Sequence, residues 1–88
     1  MTKKAKRFYV MMRGEVKKIH EFDGGWDWGI SGHWGEDETK RTMKDVVRIA
    51  MSEMEFSADM KNEFGVAINK KVIELAENRI RILEEAGL

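Results

Sequence analysis

The chain has no cysteine and no proline among its 88 residues. The first absence excludes disulfide staples, thiolate zinc sites and thiol catalysis together. The second removes a strong marker of linkers and forced turns. With no low-complexity run and no internal repeat either, the chain reads as one small domain. No apolar run approaches the roughly 18 residues that a membrane-crossing helix needs, and none follows the basic start as it would in a secretory leader. The expectation is a soluble, cytoplasmic protein. Net charge is also lacking, because 16 basic and 16 acidic residues cancel.

What is present is unevenly placed. Residues 1–20 carry Lys3, Lys4, Lys6, Arg7, Arg13, Lys17 and Lys18 against Glu15 alone. Residues 21–38 carry Glu21, Asp23, Asp27, Glu36, Asp37 and Glu38 with no Lys or Arg, and the remainder balances. Such a partition is read in two ways. The two segments neutralise each other across paired strands, or one pole faces a charged partner.

A hydrophobic fraction of 42% with three Trp argues for a folded chain. Phe8-Tyr9-Val10-Met11-Met12-Arg13 is aromatic and β-branched enough to predict a strand, with Gly14-Glu15 as a turn and residues 16–22 returning. Asp23-Gly24-Gly25 reads as a second turn. Beyond it Trp26, Trp28, Ile30 and Trp34 share one parity, as on a strand with a single bulky face. From Thr42 the period changes: Met43, Val46, Val47, Ala50, Met51 and Met54 follow helical spacing. Either Thr42, in a box with Asp45, or Thr39 caps that helix. Ser57 reads as the cap of a short helix ending at Gly65. A last helix is expected from Val66 to Ala86, apolar along Ile68, Val72, Ile73, Leu75, Ala76, Ile80 and Leu83 and stopped by Gly87.

The predicted architecture is α+β. A two- or three-stranded antiparallel sheet over residues 8–34 precedes two or three helices packed on one face. Residues 1–7 form a basic, flexible arm, and residues 8–88 the domain.

No catalytic framework accompanies these elements. His20 lies near Asp23, and His33 near Glu36 and Asp37, yet neither has the H-E-x-x-H spacing of a metal site. Ser31 lies two residues from His33, but no G-x-S-x-G surrounds it, and Ser52 and Ser57 fare no better. No glycine pattern forms a phosphate loop. The chain is expected to be no enzyme and to use no cofactor or metal.

Two binding readings remain. All three Trp fall in residues 22–36, amid acidic side chains. Trp supplies anchor energy at interfaces, while carboxylates steer a basic partner. The principal expectation is therefore a protein-binding module acting by stoichiometric association through Trp34, Glu36, Asp37 and Glu38, flanked by Asp23 and Asp27. A partner with a basic, nucleic-acid-binding surface fits that chemistry. Small chains without cysteine or motif are typical of inhibitors and adaptors of phages and mobile elements, anti-CRISPR-type inhibitors among them; this is an analogy from size. The Met-rich helix faces add the expectation of a homodimer through the helices.

The alternative is nucleic-acid binding through Lys3, Lys4, Lys6, Arg7, Lys17 and Lys18, with Phe8 and Tyr9 available to stack on bases. Strands followed by a helix opening on Lys40-Arg41-Thr42-Met43-Lys44 resemble, over residues 8–54, the second half of a double-stranded-RNA-binding domain. That family's leading helix and small-residue helix face are missing, so none of its binding residues is carried over.

Overall fold

Ala5, Phe8, Tyr9, Met12 and Val16 recur at steps of three and four, and all five are buried along one side of a single helix, α1 (Lys3–Phe22). The computed structural model describes residues 3–22 and 37–87. Among these residues there are three helices and no strand. The expected α+β class is thus overturned: residues 8–22, assigned to a hairpin, are helical throughout. The expected strand through Trp26, Trp28, Ile30 and Trp34 lies outside the described residues.

The physical reason is the reach of the apolar pattern. β-Propensity over six residues amounts to a few tenths of a kcal/mol each and yields readily to tertiary context. The helix instead places four large apolar side chains and Ala5 in the core, at about 1.5–3 kcal/mol for each large one. Gly14, read as a turn, lies mid-helix, where it costs about 0.5–1 kcal/mol relative to alanine. Burial outweighs that cost several times over.

The second helix, α2 (Lys40–Asp59), starts at Thr39, whose Oγ1 accepts the Thr42 N–H at 3.1 Å. Thr39 is therefore the cap, and Thr42 is buried inside the first turn. Met43, Val46 and Ala50 are buried as the spacing predicts, whereas Met51 is exposed. Ser57 caps nothing: it is a buried residue of α2. Asn62 opens the third helix, α3 (Glu63–Glu85), with its Oδ1 accepting the Gly65 N–H at 3.0 Å. Gly65 thus begins a helix rather than ending one. A Cβ at that position would lie 2.4 Å from Ser57 Oγ and 2.9 Å from Ser57 Cβ, so glycine is what lets α2 and α3 close at their shared turn. At the other end α3 stops at Gly87, whose φ of 76° suits glycine.

The helices α2 and α3 form an antiparallel hairpin, and α1 packs against both. Lys4 and Arg7 near the start of α1 lie beside Asp37, just ahead of α2. The second half of α1 lies beside the start of α3. The core gathers the buried side of α1 with Met43, Val46 and Ala50 of α2 and Ile68, Val72, Leu75, Ala76 and Leu83 of α3. None of the described helices is long and apolar enough to cross a membrane.

Candidate binding surface

Burying one side of α1 exposes the other. Lys3, Lys6, Arg7, Val10, Arg13, Gly14 and Lys17 are all exposed, and their steps of three and four put them on one outer stripe. At 1.5 Å per residue the stripe runs about 21 Å from Lys3 to Lys17. Five of its seven residues are cationic. Of the basic residues named for nucleic-acid binding, Lys3, Lys6, Arg7 and Lys17 are thereby brought together. Lys4 sits to one side, and Lys18 continues the helix. Arg13 joins the stripe without having been named, although its step of seven from Lys6 would have placed it there.

Toward its second half the stripe meets α3. Val10, Arg13, Gly14, Lys17, Phe64 and Ile68 line a shallow groove of about 280 Å³. Val10 is 67% and Phe64 43% exposed, which is high for large apolar side chains in a small domain. Among the described residues the groove is lined by three apolar side chains, Gly14, Arg13 and Lys17.

Of the residues expected at the acidic contact surface, Asp37 and Glu38 lie among the described residues. Glu38 is buried, and Arg79 donates to its Oε1 from Nε at 2.9 Å and from Nη2 at 2.5 Å. Taken from water, the two charges satisfy each other within the fold. Asp37 pairs with Lys4 Nζ at 2.9 Å and Arg7 Nη2 at 2.8 Å. Hydrogen bonds from Lys4, then Arg7, hold its carboxyl below the usual range. These contacts join the basic and acidic segments within the molecule, from helix to loop rather than across strands. Trp34, Glu36, Asp23 and Asp27 lie outside the described residues, as do His33 and Ser31.

Two buried polar groups were missed. Arg79 falls on the α3 stripe at Ile68, Val72, Leu75, Ala76 and Leu83, exactly one helical step from Leu75, Ala76 and Leu83. A cation in a core stripe is the sequence signal of a buried ion pair, and Glu38 in an acidic run was its available partner. Tyr9 donates its hydroxyl to Asn69 Oδ1 at 2.6 Å, and Asn69 Nδ2 donates to the Gly65 carbonyl at 2.8 Å. Burial pushes the Tyr9 phenol above its ordinary pKa, with Glu53 adding to the effect and Arg13 and the Asn69 hydrogen bond opposing it. With these bonds made, no buried side-chain polar atom among the described residues lacks a partner. These groups act within the fold, whereas the α1 stripe is exposed among the described residues.

Over residues 8–22 the strands that carried the likeness to a double-stranded-RNA-binding domain are replaced by α1. Comparison with known proteins assigns no family: no family model, no curated protein and no solved structure matches the chain.

Proposed function

We propose that this chain is a non-enzymatic module that acts in the cytoplasm by stoichiometric binding to a protein, and that it does so through the outer face of α1 and the adjoining start of α3. The observation that supports this reading is the groove, where exposed Val10 and Phe64 meet Arg13 and Lys17. Apolar side chains exposed at the centre of a charged surface are what a protein interface uses for anchoring, with charges at its rim for steering. The interface proposed here differs from the acidic one, because Glu38 and Asp37 are already engaged within the fold.

Nucleic-acid binding is the second reading, favoured by the stripe of Lys3, Lys6, Arg7, Arg13 and Lys17. Capture of the tagged chain from its host, with and without nuclease, separates the two. The protein reading expects a stoichiometric protein that survives nuclease and is lost with Arg13→Glu/Lys17→Glu. The second reading expects everything to vanish on nuclease treatment and affinity for an oligonucleotide to fall by about one power of salt concentration per phosphate contact. The proposal extends to a homodimer, resting on the exposed Met51, Phe56 and Met60. Light scattering that gives a 10.3 kDa mass at every concentration contradicts that part.

A further inference from the structure

The start of α1 carries the wrong charge for a helix start. Lys3, Lys4, Lys6 and Arg7 are four of its first five residues, and its first turn holds no acidic side chain. The N-terminal end of a helix dipole is positive, so cations there work against the helix. Nor do they fill the core, because all four are exposed. Two of them close on one anion. Lys4 Nζ lies 2.9 Å from Asp37 Oδ1, and Arg7 Nη2 donates to Asp37 Oδ2 at 2.8 Å, so each carboxylate oxygen has its own cation. Lys4 and Arg7 stand one helical turn apart, the spacing that lets two side chains of one face share a group. Their side chains stay 58% and 66% exposed, so a solute reaches both.

From this geometry we infer that Lys4 and Arg7 form a site for a backbone phosphate of nucleic acid, and that Asp37 occupies it as a competitor built into the fold. The inference rests on the nucleic-acid reading above and names the regulation of that surface. A phosphate presents the same pair of anionic oxygens as a carboxylate, so it fits the two donors that Asp37 holds. Lys3 and Lys6 are exposed beside them, and such a run of cations matches a ligand of repeating charge better than a single carboxylate. Phe8 and Tyr9 are buried, so the contact is with phosphates and not with stacked bases. Displacing Asp37 exchanges one ion pair for another, and an exposed carboxylate loses little by returning to water. Asp37 therefore lowers affinity without closing the site, and a ligand of high charge density takes Lys4 and Arg7 from it.

The test uses the full chain with three probes: a short DNA duplex, one of its single strands, and polyglutamate. Asp37→Asn should bind the duplex about three- to tenfold more tightly than wild type at low salt, with a salt dependence steeper by about one power per cation released. Glu15→Gln is the control. Glu15 is exposed on the same helix, so its loss changes net charge equally and releases neither Lys4 nor Arg7 from Asp37. It should gain clearly less. Adding Lys4→Gln/Arg7→Gln to Asp37→Asn should erase the gain. The single strand should rank the variants in the same order, with a shallower salt dependence. Wild type gives a second readout that needs no variant: the side-chain carboxyl carbon signal of Asp37 should move saturably as duplex is added.

If Asp37→Asn gains no more than Glu15→Gln, or the Asp37 signal stays in place while the duplex binds, the inference is overturned and the nucleic-acid reading stands. If neither duplex nor single strand binds wild type or any variant, both fall. If polyglutamate binds Asp37→Asn as tightly as the duplex does, Lys4 and Arg7 serve a protein carboxylate, and the phosphate assignment is overturned.

Discussion

Tyr9 is the residue whose environment most directly sets a measurable property. Its hydroxyl bonds Asn69, which in turn bonds the Gly65 carbonyl, so one phenol joins α1 to the opening turn of α3. Replacing Tyr9 with Phe removes the donor and leaves Asn69 Oδ1 without a partner in a buried site. The expected loss is about 1–3 kcal/mol, read from chemical denaturation. The pH dependence follows from the direction of the phenol's shift. Its pKa is raised in the fold by burial, so its contribution is complete below the unfolded value of about 10 and is lost as pH rises through the higher folded value. Wild type should therefore lose stability above about pH 10 more steeply than Tyr9→Phe. Parallel curves would show that Tyr9 is not the titrating group. This pair was hidden in the sequence because Tyr9 and Asn69 are sixty positions apart and neither belongs to a recognisable motif. Arg79 was more legible, since its position on an apolar stripe is visible without coordinates.

At the scale of elements, the two later helices were readable and the first was not. Met43, Val46 and Ala50, and Ile68, Val72, Leu75, Ala76 and Leu83, repeat at helical spacing over long windows, and all are buried. In α1 the same spacing begins at Ala5, inside the stretch read as a basic arm, and continues through Gly14, read as a turn. Dividing the pattern there left a six-residue fragment in which β-propensity had no competitor. The α2–α3 turn was misplaced for a related reason. Ser57 and Gly65 are a good cap and a good stop by residue type, yet here they face each other across a close helix contact. That contact predicts the effect of Gly65→Ala. The added methyl would collide with both Ser57 Oγ and Cβ, so the hairpin should open slightly and lose about 1–3 kcal/mol. Ser57→Ala, which keeps the Cβ at 2.9 Å, should rescue the double variant incompletely. Complete rescue in denaturation curves would place the conflict at the hydroxyl alone.

For the whole molecule, the Glu38–Arg79 pair ties the segment ahead of α2 to the second half of α3, beneath a surface where Asp37 holds Lys4 and Arg7. Arg79→Met alone leaves a carboxylate buried without its cation and should cost about 3–5 kcal/mol. Glu38→Leu/Arg79→Met removes both charges together and should recover most of that loss. A double variant as unstable as the single one would show that the pair contributes by shape rather than by charge. The binding proposals depend on a prior structural claim: the basic segment is one continuous helix, because only then do Lys3, Lys6, Arg7, Val10, Arg13, Gly14 and Lys17 share a face. Backbone carbon chemical shifts of the full chain in solution test that claim most directly. An unbroken run of helical Cα shifts from Lys3 through Gly14 to Phe22 is the predicted result. Strand-type shifts over residues 8–13 with a break at Gly14 would contradict it and dissolve the stripe and the groove with it.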